Sequence, residues 1–226
     1  LIARGDDVHV VDNFSTGKRE RLNSAVMLHE VDIRDAEKLP EIFSGAQGVF
    51  HTAAQPRMQY SISEPRLTND INITGTLNVL LAARDAGVPR VVYSASSSAY
   101  GTGHSMPLRE TMAPGPIIPY AIQKRVGEQY CEMARRFFGL ETVSLRYFNV
   151  YGPRIDFNSD YSLVLGKFLR LQKQKKPFTI FGSGTQTRAF CYIDDVVKAN
   201  ISAMNSKGVR GGEVINVGGA DSHSIN

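Results

Sequence analysis

The feature that most constrains the fold is an alternation of short, β-branched apolar runs with longer amphipathic segments along the first 150 residues. The runs that predict strands are Val8–Val11, Val26–Val31, Gly48–Ala53, Arg90–Ser94 and Thr142–Tyr147. The segments that predict helices are Ala36–Phe43, Asp70–Ala86 and Tyr120–Phe138. Strands and helices that alternate at this spacing form βαβ units, which predicts an α/β fold with a parallel sheet between layers of helices.

Residues after Gly152 follow a looser pattern, which indicates a second and smaller part of the chain. The elements predicted there are helices at Leu163–Leu171 and Asp194–Met204 and a strand at Pro177–Phe181. We therefore predict a first domain over residues 1–150 and a smaller, partial lobe over residues 151–226. Residues 190–204 are expected to return to the first domain.

A Gly-rich phosphate turn is missing from the sequence. A doubly wound dinucleotide fold of the Rossmann type opens with a strand, a G-x-G-x-x-G turn and a helix. Leu1–Gly5 instead has the pattern of the last turn of a helix with its glycine cap. If the fold is Rossmann-like, its first strand is absent from this chain. We then expect a gap in the sheet, between the strand ending at Asp12 and the strand ending near Ala53, and weakened dinucleotide binding.

Composition excludes several classes of protein. The 226 residues are 42% hydrophobic and 21% charged, as in globular chains, and no apolar run reaches the roughly 18 residues of a membrane span. The two cysteines, which lack paired Cys/His spacing, predict no disulfide framework and no metal site, and they favour a reducing, cytoplasmic setting. The net charge is +4, but the basic clusters are dispersed, so solvated helix faces are favoured over a nucleic-acid surface.

Tyr120 and Lys124 are the strongest candidates for chemistry. At positions i and i+4 they share one helical face, and Pro119 places Tyr120 in the first turn, where the helix dipole is positive. An ammonium group and that dipole both favour the phenolate, so the pKa of Tyr120 is expected to fall below its ordinary value of about 10. By itself the spacing favours an ordinary surface pair, because Y-x-x-x-K is common by chance.

The serine-rich stretch Ser94–Ser98 gives that pair a context. It ends a predicted buried strand, and ligands of parallel sheets lie beyond the carboxyl ends of the strands. Serines in such a place also cap turns, so the stretch alone is ambiguous. A strand, serines, a loop and a Pro-Tyr-x-x-x-Lys helix in that order are much less expected by chance.

With these motifs the chain resembles the extended short-chain dehydrogenase/reductase family, in its NAD-dependent nucleotide-sugar epimerase/dehydratase branch. The resemblance covers essentially the whole chain and rests on further segments in family order: Asp12–Lys18, Asp32–Asp35, His51–Ala54, Asn72–Thr76, Arg146–Pro153 and Thr187–Arg188. It implies a Rossmann-like fold, NAD as cofactor, a UDP-hexose substrate and, for the full-length protein, a homodimer. The sequence departs from the family at Gln123, where a small residue is usual, and at Ala189, where many members have Asp.

The resemblance also implies a role for individual residues. The expected catalytic residues are Ser96, Tyr120 and Lys124. The expected cofactor-binding residues are Asp12, Asn13, Ser15, Gly17, Asp32, Ile33, Ala53, Ala54, Gln55, Asn72, Ser94, Tyr120, Lys124 and Tyr147. The expected substrate-binding residues are Ser96, Ser97, Tyr120, Asn149 and Arg188. A carboxylate at position 12 suits ribose hydroxyls and repels a 2′-phosphate, which favours NAD over NADP, although an Asp there can also cap a turn. Asn72 fits a plain helix-start residue equally well.

The serine stretch also bears on the reaction. Similar loops carry Thr-Asp-Glu in the 4,6-dehydratases and a Glu in the UDP-glucuronate decarboxylases, whereas Ser96–Ser98 offers no acid for elimination. The resemblance is therefore closest to the UDP-hexose 4-epimerases, and it implies that Tyr120 takes a proton from the sugar 4-hydroxyl as a transient 4-keto sugar forms. Two alternatives stay open: another NAD-dependent nucleotide-sugar enzyme (a decarboxylase, dehydratase or reductase), and a non-catalytic NAD-binding protein of the same fold.

Overall fold

The computed structural model describes residues 1–155, 164–180, 182–219 and 221–225. Its strands are β1 (His9–Val11), β2 (Met27–His29), β3 (Val49–His51), β4 (Arg90–Ser96), β5 (Glu141–Tyr147), β6 (Asn149–Tyr151), β7 (Thr187–Tyr192), β8 (Gly211–Val217) and β9 (Ser222–Ser224). Its α-helices are α1 (Leu39–Phe43), α2 (Met58–Ser63), α3 (Pro65–Asn69), α4 (Gly75–Asp85), α5 (Pro119–Phe138), α6 (Val164–Lys173) and α7 (Ile193–Asn205).

A parallel four-stranded sheet in the order β3-β4-β5-β8 forms the centre of the fold, and β1 and β2 form a separate parallel pair. Among the described residues, β1 has no ladder pairing with β3. The predicted α/β fold with a Rossmann-like parallel sheet is therefore confirmed, and so is the gap between the strand ending near Asp12 and the strand ending near Ala53.

Hydrophobic cores cover both faces of the sheet. On β4, Val91 and Tyr93 pack with Leu80 of α4 and Cys131 of α5, whereas Val92 faces the opposite core with residues of α7. Successive strand residues point to opposite faces, so a strand buried on both sides is apolar almost throughout. This burial explains the consecutive apolar residues Val91, Val92 and Tyr93 of β4.

The helix predicted at Asp70–Ala86 is longer and less regular than its sequence pattern indicates. Helical turns begin at Pro65, residues Asp70–Thr74 form a π-helical turn, and α4 follows without interruption. A Cβ at Gly75 would lie 2.5 Å from Cδ1 of Ile33, so glycine is needed where this helix meets the segment after β2. The helix ends just before Gly87, whose φ of +68° is the left-handed conformation typical of a glycine after a helix C-terminus.

The C-terminal part of the chain contributes to the central sheet. Helix α7 packs against β4 and β5, and Nη1 of Arg90 donates 2.7–2.8 Å hydrogen bonds to carbonyl groups at the end of α7, those of Ala203, Met204 and Ser206. Strand β8 then pairs with β5, a pairing that the sequence pattern does not predict. A separate three-stranded sheet has the order β6-β7-β9.

Two predictions for this part need correction or restriction. The strand predicted at Pro177–Phe181 is wrong for residues 177–180, which are exposed and irregular, and Phe181 lies outside the described residues. The predicted helix at Leu163–Leu171 corresponds to α6, with Leu163 outside the described residues. Among the described helices, none combines the length and the apolar character needed to span a membrane.

Candidate active site

Ser96, Tyr120 and Lys124 meet at the carboxyl end of β4. Ser96 is the last residue of that strand, Tyr120 lies in the first turn of α5, and the Ser96 hydroxyl lies near the Tyr120 phenol. Lys124 follows one turn later, is 4% exposed, and its Nζ donates to the Ser94 carbonyl at 2.8 Å. The Nζ also lies 4.9 Å from the centroid of the Tyr93 ring. The strand end and the first turns of one helix therefore bring all three predicted catalytic side chains together.

The pKa of Tyr120 corrects one expectation. Burial raises the pKa of the phenol, and the hydrogen bond from Ser96 opposes that rise. The predicted lowering by Lys124 is wrong for this structure, because the ammonium group is held by the Ser94 carbonyl and burial outweighs the favourable contact. Burial also lowers the pKa of Lys124, to about 8. Burial therefore disfavours the charged form of both side chains.

The Ser96 hydroxyl has a second function in the fold. Its Oγ accepts hydrogen bonds from the Ser98 backbone N–H at 3.2 Å and from the Ser98 hydroxyl at 2.8 Å. These bonds cap the 3₁₀ turn at Ser97–Tyr100. Ser96 therefore caps a turn, as the alternative interpretation of the serine-rich stretch predicts, and it also lies beside Tyr120.

Tyr147 lies beside this cluster on the neighbouring strand. Its hydroxyl is 3.1 Å from Oγ of Ser94 and 2.8 Å from Nδ2 of Asn200. Burial raises the pKa of Tyr147, and both hydrogen bonds oppose the rise. Asn200 was missed by sequence reasoning, since an Asn on a polar-faced helix carries no signal of a distant strand partner.

Asp12 and its neighbours form a polar loop at the end of β1. Oδ1 of Asp12 accepts the Phe14 backbone N–H at 2.7 Å, and Oδ1 of Asn13 accepts that of Ser15 at 3.0 Å. A Cβ at Gly17 would lie 3.0 Å from Oδ2 of Asp12, so the glycine leaves this carboxylate oxygen uncovered. Asp12 is therefore both a turn cap and an accessible acceptor.

Asp32, at the end of the β2 segment, is held by two neighbours. Nδ2 of Asn13 donates to its Oδ2 at 2.6 Å, and Nε and Nη2 of Arg34 donate to its two oxygens at 3.0 and 2.8 Å. The hydrogen bonds from Arg34 are the main reason that the pKa of Asp32 falls to about 2. Arg34 also reaches Asp70 at 3.4 Å, and Ile33 is buried between these polar residues. Sequence reasoning missed Arg34.

Asn72 brackets the backbone after β3. Its Oδ1 accepts the Gln55 N–H at 2.7 Å, and its Nδ2 donates to the Gln55 carbonyl at 3.1 Å. The partly buried Ala53 and Ala54 precede this contact. Asn72 belongs to the π-helical turn, and such turns are frequent at functional sites. It is therefore more than a helix-start residue, because its side chain fixes a loop 17 residues away in sequence.

Asn149 and Arg188 lie apart from this cluster. Nδ2 of Asn149 donates to the Ala189 carbonyl at 2.9 Å, which ties β6 to β7. Arg188 is exposed, and its Nη1 donates to the Thr187 carbonyl at 2.8 Å. Their roles in binding substrate stay predictions, as do the roles assigned to the other site residues.

A family model described as the NAD dependent epimerase/dehydratase family matches residues 1–218. The chain belongs to this family. The UDP-glucose 4-epimerase of Thermotoga maritima, solved with UDP-glucose, is similar at 38% identity and a TM-score of 0.94, over 100% of this chain and 73% of that one. The UDP-glucose 4-epimerase of Thermus thermophilus, solved with NAD, is similar at 33% identity and a TM-score of 0.89, over 100% and 74%. A UDP-N-acetyl-alpha-D-glucosaminuronate decarboxylase of Bacillus cytotoxicus is 34% identical over 100% of this chain and 71% of its own length.

The residues of this epimerase/dehydratase chain fit NAD at both ends of the cofactor. Asp12 offers an uncovered carboxylate oxygen for a ribose diol, beside the loop that glycine keeps open at position 17. Near the catalytic cluster, the Lys124 ammonium group carries three N–H donors. One of them is bonded to the Ser94 carbonyl, so others can bind a ligand. Oε1 of Gln55 is buried without a hydrogen-bond partner among the described residues, which leaves an acceptor on the same wall. The family is NAD-dependent, and these side chains suit that cofactor.

Proposed function

We propose that this protein is a nucleotide-sugar 4-epimerase, which inverts C4 of a UDP-hexose through a transient 4-keto sugar with bound NAD. The observation that carries the proposal is the convergence of Ser96, Tyr120 and Lys124 where the carboxyl end of β4 meets the first turns of α5. Two hydroxyl groups on one side of a small site can share a single substrate hydroxyl, and the lysine of the same helix lies one turn away.

In this mechanism the Tyr120 phenol and the Ser96 hydroxyl both bind the 4-hydroxyl oxygen of the sugar. NAD, which Asp12 and Lys124 would hold, would supply reversible hydride transfer at C4 of the sugar. Tyr120 first loses its own proton to solvent; as the phenolate it accepts the 4-hydroxyl proton while the ketone forms, and as the phenol it donates that proton back after the sugar has turned over. Since burial raises the pKa of this phenol, its ionisation requires a nearby positive charge, and we propose that the Lys124 ammonium group supplies that charge when cofactor and substrate are bound.

The side chains of Ser96–Ser98 favour epimerisation over elimination. A dehydratase needs a general acid near its leaving group, and this segment carries hydroxyl groups alone. Glu128 is a carboxylate of the same helix as Tyr120, but it is engaged by Arg146 with two hydrogen bonds of 2.8 Å. Both carboxylate oxygens of Glu128 are therefore already bonded to Arg146 and are not directed at a substrate.

We propose that Ser97, Asn149 and Arg188 bind the parts of the substrate beyond the reacting C4. Ser97 follows the catalytic serine in the same turn. Arg188 is exposed at the start of β7, and a planar guanidinium group suits the paired oxygens of a diphosphate. The similar decarboxylase named above makes a decarboxylase the second candidate for the reaction.

Product analysis separates these reactions. The full-length protein is incubated with UDP-glucose, UDP-N-acetylglucosamine and their galacto epimers, and with UDP-glucuronate. We expect interconversion of at least one gluco/galacto pair without accumulation of NADH absorbance. Release of CO₂ from UDP-glucuronate, loss of water from a hexose, or stoichiometric NADH would contradict the proposal and select a decarboxylase, dehydratase or net dehydrogenase.

A further inference from the structure

Gln123 lies between the two proposed catalytic residues of α5 and is 2% exposed. Its side chain points away from solvent and into the packing of α5 against the helical turns that begin at Pro65. A buried primary amide has two donor hydrogens and an acceptor that all need partners. The hydrogen-bond partners of Gln123 therefore indicate the function of its side chain.

Gln123 belongs to a continuous chain of side-chain hydrogen bonds. Nδ2 of Asn72 donates to Oε1 of Gln123 at 2.8 Å, and Nε2 of Gln123 donates to Oγ1 of Thr68 at 3.0 Å. Oγ1 of Thr68 donates in turn to the Glu64 carbonyl at 3.1 Å. At the other end, the Asn72 amide brackets the Gln55 backbone.

The direction of this chain is fixed by its two ends. The Gln55 N–H requires the Asn72 carbonyl oxygen, so the Asn72 amino group must face both the Gln55 carbonyl and Gln123. The acceptor of Gln123 then faces Asn72, and its donor faces Thr68. Each amide has one orientation that satisfies its neighbours, and a uniquely oriented buried network is rigid.

We propose that Gln123 is a positioning residue, which fixes the register of Tyr120 and Lys124 against the cofactor wall formed by Gln55 and Asn72. This inference rests on the proposed function and deepens it. The helix that carries the proton-transfer residue and the loop that lines NAD are joined through this one amide. A shift of either changes the distance between the sugar C4 and the hydride acceptor, to which reaction rates are highly sensitive. The sequence resemblance makes the position notable, since a smaller residue is usual there.

The test compares three variants of the full-length protein. Gln123→Met removes both hydrogen bonds at similar volume, and Gln129→Met makes the same change at an exposed position of α5. For Gln123→Met we expect kcat to fall about 10-fold and the NAD dissociation constant to rise several-fold, with an unchanged KM for the UDP-sugar, because a buried amide partner is lost. Gln129→Met should match the wild type in all three quantities.

Gln123→Glu is the conservative variant. A buried glutamic acid keeps an acceptor toward Asn72, and its protonated form can donate to Oγ1 of Thr68, so kcat and NAD affinity should recover in part relative to Gln123→Met. If Gln123→Met does not fold, Thr68→Val, which breaks the far end of the chain and leaves Gln123 in place, should produce the same changes at smaller amplitude.

NAD affinity is measured by titration calorimetry and needs no turnover, so it distinguishes failure of this inference from failure of the proposed reaction. A wild-type protein that binds NAD but does not epimerise would overturn the proposed function and leave the affinity comparison intact. A Gln123→Met protein with a lowered Tm but wild-type kcat and NAD affinity would show a purely structural role and overturn this inference.

Discussion

The backbone N–H of Tyr120 donates a hydrogen bond to Oγ of Ser61 at 3.1 Å. Ser61 lies on α2 and is fully buried, and its own hydroxyl donates to the Met58 carbonyl at 2.6 Å. Helix α5 lacks a local cap, because its N-cap residue is Ile118 and makes no side-chain cap hydrogen bond. A serine from another helix thus satisfies an N-terminal donor of the helix that carries the proposed base.

Ser61→Ala tests this cap. The substitution leaves the Tyr120 N–H without its acceptor in a buried place, which is expected to lower the free energy of unfolding by about 1–3 kcal/mol. Ser63→Ala, at an exposed position of the same short helix, is expected to change it by less than about 0.5 kcal/mol. Urea denaturation of both variants measures the difference, and equal effects would contradict the assigned role of Ser61.

Lys124 should make stability depend on pH in a defined direction. Burial lowers the pKa of this lysine from its ordinary 10.5 to about 8. Between these pH values the unfolded chain binds more protons than the folded one, so the stability contributed by this site rises with pH. Relative to Lys124→Met, the wild type should gain up to about 3 kcal/mol between pH 8 and pH 10.5. The exposed Lys207→Met controls for loss of one charge, and parallel pH profiles of wild type and Lys124→Met would contradict the prediction.

Arg34 and Asp32 should also make stability rise with pH, but in the acid range. The pKa of Asp32 falls from 3.8 to about 2, chiefly because of hydrogen bonds from Arg34. The stability from this pair is present above pH 3.8 and is lost as the pH falls through 2. Arg34→Met should therefore destabilise by roughly 1 kcal/mol near neutral pH, with a difference that narrows in acid. In an Asp32→Asn background, Arg34→Met should lower the free energy of unfolding by less, and by the same amount at neutral and acid pH. If the loss caused by Arg34→Met is independent of pH in both backgrounds, the Arg34–Asp32 pair is not its cause.

The central elements could be predicted from the sequence because their signals are local. The apolar run of β4 and the proline and glycine at the two ends of α5 specify those elements within a few residues. Their order along the chain then places Ser96 near Tyr120, since parallel strands present their carboxyl ends at one edge of the sheet.

Elements that depend on partners distant in sequence were harder to predict. Strand β8 is short of apolar residues at its start and is bordered by glycines, so its place beside β5 comes from pairing that the sequence does not display. The π-helical turn around Asn72 leaves no periodic signal, and residues Pro177–Ile180 have strand-like composition but lack a pairing partner among the described residues. Composition therefore misled where non-local pairing decides the structure.

The sequence predicted which residues come together in the candidate site, but not the directions of their pKa shifts. The i, i+4 spacing of Tyr120 and Lys124 indicates a shared helical face, but the spacing does not reveal that the Ser94 carbonyl holds the ammonium group. Nor does it reveal the burial that raises the pKa of the phenol. Desolvation is a property of the packed structure, so the direction of a pKa shift follows from tertiary contacts rather than from sequence spacing.

Tyr120→Phe in the full-length protein tests the central claim most directly. The change removes the phenol oxygen that is proposed to move the proton at the sugar 4-hydroxyl, and it leaves Lys124 and Asp12 in place for NAD. We measure conversion of UDP-galactose to UDP-glucose together with NAD affinity. The account predicts a loss of turnover of about 100-fold or more with NAD affinity close to that of the wild type. Epimerisation at the wild-type rate by Tyr120→Phe, with NAD bound, would contradict it.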